Sequence, residues 1–192
     1  RKFGEKKPIS LNVLIPASEV FDALYLDILE EIGVHRIVEA VKFLKKTTVP
    51  LSGETSRKLE EIMQEERLAK VVLSKSDDIE RYLFLSARPA DLRKMGIARG
   101  VETSSDKLRA LRGILNLLTS TTYSRIILWI DDAERLGDLA GRDLFEFRIF
   151  LRDLLDYVPV KLSIIMNFTL TPGRKVEDIL EFLGDALRSR LY

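Results

Sequence analysis

The 192-residue chain carries 31 Lys and Arg against 30 Asp and Glu, a formal net charge of +1, with one His, no Cys and 46% apolar residues. Without thiols there is no disulfide scaffold, zinc ribbon or cysteine nucleophile, and the single His leaves a Ser-His-Asp triad no base except His35. No apolar run approaches the ~18 to 20 residues that span a bilayer, and Arg1-Lys2-Phe3-Gly4-Glu5 is neither an initiator Met nor a signal-peptide core, so a soluble, cytoplasmic protein without a membrane partner is expected.

In chain order, Ile9 to Ile15 (ISLNVLI) reads as a strand ended by Pro16. Glu19 to Ile32 has apolar residues at helical spacing, with Ser18 as N-cap and Gly33 as C-cap, and a second helix covers about His35 to Lys46. From Thr47 to Tyr123 no comparable strand occurs. A loop over Thr47 to Glu54 precedes predicted helices at Thr55 to about Leu73, Asp77 to Ala87, Pro89 to Gly96 and Ser105 to Thr119, so 47–123 reads as a helical insertion.

Arg125 to Ile130 (RIILWI) is apolar at every position but the first. Such continuity suits a parallel strand covered by helices on both sides. A helix follows at about Leu139 to Tyr157, then a third strand, Val160 to Phe168, and a closing helix, Val176 to Leu191. Strands alternating with helices give an α/β fold with a parallel sheet flanked by helices. Charged residues make up 32% of the chain and are interleaved rather than segregated, so no polybasic tail advertises nucleic acid. High charge with one Gln and three Asn leans toward a thermophile source.

The informative stretch is Ile126 to Ile130 followed by Asp131, Asp132, Ala133 and Glu134. A buried strand delivering carboxylates at its C-terminal end puts them in the crevice where open α/β sheets bind ligands. Two acids there also suit the start of the next helix, where the macrodipole favours negative charge, and this simpler reading stays open. Farther on, the strand ending in Asn167 brings a polar amide able to bond a phosphate or a water, or simply a turn residue. A receiver domain also pairs acids with an apolar strand, but the 68 residues from Arg125 to the end are too few for its five βα units.

This succession resembles the AAA+ ATPases, in the branch that includes origin-recognition and STAND-like ATPases. Ile9 to Ile15 looks like their second core strand, RIILWIDDAERL like Walker B, VKLSIIMNFT like the sensor 1 strand, and LGDALRSRLY like the helix end that carries an arginine finger. Tyr82-Leu83-Phe84-Leu85, Pro89 to Ile97 and the leucine-rich helix before the acidic strand are also similar to the ATP-binding proteins associated with BREX phage-defence systems.

The resemblance implies a P-loop NTPase, one AAA+-like domain over 1–192, using ATP and Mg2+. Asp131 would hold magnesium, and Asp132 would take the place of the usual catalytic Glu. Asn167 would be sensor 1, and Arg190, with Arg188 beside it, the finger. Asp is one methylene shorter than Glu, so Glu134 is the alternative for positioning water. A finger acting in trans implies a homo-oligomer, and the family implies DNA or a DNA-associated protein complex as partner.

No G-x-x-x-x-G-K-[ST] loop occurs; Gly4, Gly53, Gly100 and Gly173 all lack the second Gly and the Lys. The expectation is a domain that is N-terminally incomplete, with Arg1 to Lys7 the tail of the helix after that loop. Its missing first strand would then belong beside the sensor 1 strand, whose edge would otherwise be unpaired. The alternative is a degenerate module that keeps the scaffold for interactions alone. Bland readings are preferred for His35 (solvated), for the basic group Arg88, Arg93, Lys94 and Arg99 (a solvated face), and for Phe145, Phe147 and Phe150 (core and contacts).

Overall fold

A computed structural model describes residues 6–48, 53–158, 161–169 and 175–189. It is an α/β fold: a three-stranded parallel sheet flanked by helices, in the order β1 (Ile9–Leu14), β2 (Ile126–Asp131), β3 (Leu162–Met166). Ile9 pairs with Ile126 and Ile126 with Leu162, and the register runs unbroken to Val13, Ile130 and Met166.

Period-two alternation then sorts the side chains. Ile9, Leu11 and Val13, with Ile126, Leu128 and Ile130, are buried in the hydrophobic core, and Leu162, Ile164 and Met166 lie in or against it. The alternate set, Leu14, Ile127, Trp129 and Ile165, lies outside that core; Leu14 is 52% and Ile165 37% exposed. Among the described residues, one face is thus packed and the other is partly open.

The two sheet edges also differ. Asn12 N–H on the outer side of β1 donates to Glu31 Oε2 at 3.0 Å, an acid placed against that edge. On β3, Lys161 O and Asn167 N bond to β2. Alternation therefore turns the N–H and C=O groups of Leu162, Ile164 and Met166 to the other side, where no described strand pairs with them.

On the packed face lie α1 (Val20–Ile32), α2 (Val34–Thr47), α7 (Ser104–Thr121) and α8 (Gly141–Tyr157). Phe21 of α1 meets Phe150 of α8 edge-on, with centroids 5.0 Å apart. Phe147 and Phe150 are fully buried, whereas Phe145 is exposed. The first helix starts after Glu19, which takes a left-handed conformation with φ 49°, so Ser18 is not its cap.

The helix expected over Thr55 to Leu73 is two, α3 (Glu54–Met63) and α4 (Glu66–Val71). Gln64 turns left-handed between them (φ 53°), and its carbonyl accepts a bond from Arg112 Nη2. Short helices α5 (Ser76–Leu83) and α6 (Pro89–Lys94) follow. Residues 49–52 of the expected loop lie outside the described residues.

Gly113 sits where α7 crosses α3 and α4. A Cβ there would lie 2.7 Å from Leu68 Cδ2 and 3.2 Å from the Met63 carbonyl. In an exposed helix Gly→Ala stabilises by about 1 kcal/mol. Here the sign should reverse: Gly113→Ala is expected to cost about 1–2 kcal/mol through overpacking, read from urea unfolding.

The closing helix is also divided, into α9 (Val176–Leu183) and α10 (Asp185–Arg188), by Gly184 at φ 70°. Arg190 lies outside the described residues, and Arg188 is only 4.0 Å from Asp185 within its own helix. Among the described residues no helix is long and apolar enough to cross a membrane.

Candidate functional site

The site forms where β2 and β3 leave the sheet. Parallel neighbours end at the same level, so Asp131, the last residue of β2, stands beside Asn167, one residue past β3. Asn167 Nδ2 donates to Asp131 Oδ1 at 3.1 Å. The backbones are joined as well: Asn167 N–H donates to Ile130 O at 2.8 Å and Ala133 N–H to Asn167 O at 2.9 Å.

Beyond Asp131 the chain does not enter a helix directly. Asp132 adopts φ 56°, a left-handed conformation that Asp tolerates better than most residues, and a 3-10 helix runs over Ala133–Asp138 before α8. Nothing in the residue letters but the acids themselves hints at this turn. It reverses the chain, so that Glu134 faces back toward the β3 exit, where its Oε2 accepts the Thr169 N–H at 3.1 Å. Asp132 turns the other way, its Oδ2 3.6 Å from Arg135 Nε in a half-exposed pair worth at most about 1 kcal/mol.

Of the five residues expected to act together, the structure brings Asp131 and Asn167 into contact and sets Asp132 and Glu134 beside them with different partners; the fifth, Arg190, is outside the described residues. Sequence reading missed the Thr169 amide, because a backbone donor leaves no mark in the residue letters. The Asp132 and Arg135 pair, by contrast, is legible as an i,i+3 spacing.

Among the described residues no group of three or more His, Cys, Asp or Glu side chains could hold a metal ion. Asp131 alone does not make a metal cage. It does fit the way Mg2+ is held with nucleotides, by one or two carboxylates while phosphates and waters fill the other positions.

Elsewhere, the basic group is largely engaged. Arg99 pairs with Asp106 at 3.3 Å and Lys94 with Asp78 at 3.4 Å, while Arg88 occupies the N-cap of α6. His35 is exposed, on the rim of an open groove of about 830 Å³ that Glu30, Asp77, Glu80, Arg81 and Phe84 also line.

Comparison with protein-family models, with curated proteins and with solved structures finds no match to this chain.

Proposed function

We propose that these residues form part of an AAA+-like P-loop ATPase domain, in which Asp131 and Asn167 face the phosphate end of Mg-ATP. The observation that carries this reading is the 3.1 Å bond between the two side chains at the C-terminal ends of adjacent parallel strands. A lone acid capping the next helix would not need that partner. Mg2+ would neutralise phosphate charge as the terminal phosphoryl group is transferred to water. Asp131 would hold the metal's hydrated side, Asn167 would orient Asp131 and contact the γ-phosphate, and Asp132 would orient the attacking water.

Topology supports the same reading. β1, β2 and β3 lie side by side in chain order, so right-handed crossovers lay all their connecting helices on one face. A parallel strand earlier in the chain but beside β3 in the sheet would have to cross back the other way. Its right-handed crossover would put a helix over Ile127, Trp129 and Ile165, and its strand on the unpaired edge of β3. Strand order would then reverse next to Asn167, and ligands bind at such reversals in open α/β sheets. A strand, phosphate loop and helix from outside these 192 residues would thus complete both sheet and site.

The rival reading is a non-catalytic interaction module on the same scaffold, favoured by the lack of a phosphate-binding loop within these residues. The test is Mg-ATP binding by calorimetry, and turnover, for the natural polypeptide that contains the chain, with the 192-residue chain alone as the blank. Binding and turnover by the former only are expected. If the natural polypeptide binds no ATP, the ATPase reading is wrong. A homo-oligomer and a DNA-linked partner belong to this proposal through the family resemblance alone.

A further inference from the structure

We infer that Glu134 is a positioning residue, a latch that fixes the exit of β3 through the Thr169 amide, and that it is not the group that activates water.

The sheet ladder between β2 and β3 ends with the Asn167 N–H to Ile130 O bond. Past that point the chain runs on through Phe168 and Thr169 with no further ladder partner among the described residues, yet the Asn167 side chain must stay within 3.1 Å of Asp131. Two bonds hold it there from the β2 side. Ala133 N–H donates to the Asn167 carbonyl at 2.9 Å, and the Glu134 carboxylate takes the Thr169 N–H at 3.1 Å. Asn167 is thus gripped at its own carbonyl and again two residues later, and both grips come from the turn that left-handed Asp132 creates.

The second grip is a charge-assisted hydrogen bond, about twice as strong as a neutral one. The bond is exposed, yet at 3.1 Å it turns the Glu134 carboxylate toward the chain, a firmer commitment than a 3.6 Å ion pair. Asp132 carries no such commitment. Its carboxylate is 45% exposed, and its pairing with Arg135 is long and solvent-screened, so it can turn toward a ligand at little cost. The two acids that look interchangeable in the sequence are therefore divided in labour. The latch stands on these contacts; the assignment of water to Asp132 rests on the ATPase reading.

The test uses the natural polypeptide that contains the chain and two readouts. In hydrogen exchange followed by mass spectrometry, Glu134→Ala should speed exchange in peptides that contain Phe168 and Thr169 by about tenfold, the factor expected for losing a charged acceptor. Glu134→Gln keeps an acceptor oxygen and should stay within about threefold of the parent. Thr169→Pro removes the donor without touching Glu134 and should loosen the neighbouring amides as Glu134→Ala does. In Mg-ATP turnover, Glu134→Gln should keep most activity, whereas Asp132→Asn should lose about a hundredfold. Unchanged exchange in Glu134→Ala would overturn the latch. Turnover lost in Glu134→Gln, with exchange intact, would make Glu134 the acid that acts on water and overturn the division of labour. If no form binds ATP, the ATPase reading fails alone, and the exchange data still decide the latch.

Discussion

Asp131→Asn, placed in the natural polypeptide, is expected to lower Mg-ATP turnover by about 10²–10³-fold, the usual loss when one preorganised electrostatic group is removed from a charged transition state. The substitution is isosteric, and Asp131 lies at the partly exposed end of β2 with its backbone still paired to β1, so the unfolding midpoint should barely move. The carbonyl of the substituted amide can still accept from Asn167 Nδ2, which keeps the geometry and removes only the charge. Nucleotide affinity measured in EDTA should therefore stay within a few-fold of the parent, while the Mg2+ dependence of binding should weaken. Parallel loss of turnover and Mg2+ dependence with unchanged stability would assign Asp131 to the metal. Unchanged turnover would take Asp131 out of the metal role, and no turnover in parent or variant would move the search to protein partners of a non-catalytic scaffold.

The strands were legible because each is a short apolar run that switches abruptly to polar residues. Ile9–Leu14, Ile126–Asp131 and Leu162–Met166 fall within one to two residues of the expected ends. Helix interiors were legible for the corresponding reason at a period of 3.6. Breaks were not: Gln64 and Gly184 interrupt runs whose periodicity continues through them, and at the first the freed carbonyl is taken by Arg112, 48 residues away. The same limit applies at the site. Asp131 and Asn167 could be picked out because they end apolar strands, and parallel pairing brings such ends together. The division between Asp132 and Glu134 depends on one left-handed residue and one backbone amide, and propensity is blind to both. Unequal cover of the two sheet faces was hidden too, since Ile127 and Trp129 look as apolar as Leu128 and Ile130. Only strand order says which face the crossovers leave open.

Asp106→Ala is expected to destabilise the fold by about 3 kcal/mol, a large effect for the loss of one carboxylate. Asp106 is the third residue of α7 and only 3% exposed. It is half of a capping box: its backbone N–H donates to Thr103 Oγ1 at 3.1 Å, and its Oδ2 accepts the Thr103 N–H at 3.2 Å. Its Oδ1 accepts Arg67 Nη2 at 2.9 Å and Arg99 Nη2 at 3.3 Å, which ties α4 and the loop before α7 to the helix start. Removing the carboxylate takes away the Nη2 partner of Arg67, which keeps only Glu65 at 2.9 Å and whose Nη1 is already buried without a hydrogen-bond partner, and removes one half of the capping box as well. The expected loss sits at the low end for a broken buried pair because Arg99 is half exposed. A shift of about 6–12 °C in Tm follows for a chain of this size.

Burial by itself would raise the Asp106 pKa, but the hydrogen bonds from Arg67 and Thr103 outweigh it and hold the carboxyl well below the usual carboxylate range. The folded state thus binds this proton more weakly than the unfolded chain does. The ionic part of the stabilisation is complete above about pH 4 and drains away as the pH falls from there toward the depressed folded value. The stability difference between the parent and Asp106→Ala should therefore narrow between about pH 4 and pH 2 in urea titrations. Asp106→Asn, which keeps an acceptor for Thr103 but no charge, should lose less at pH 7 and show none of this slope. A parent-to-variant gap that stays constant down to about pH 2 would mean that packing and capping, rather than the charge, hold the start of α7 in place.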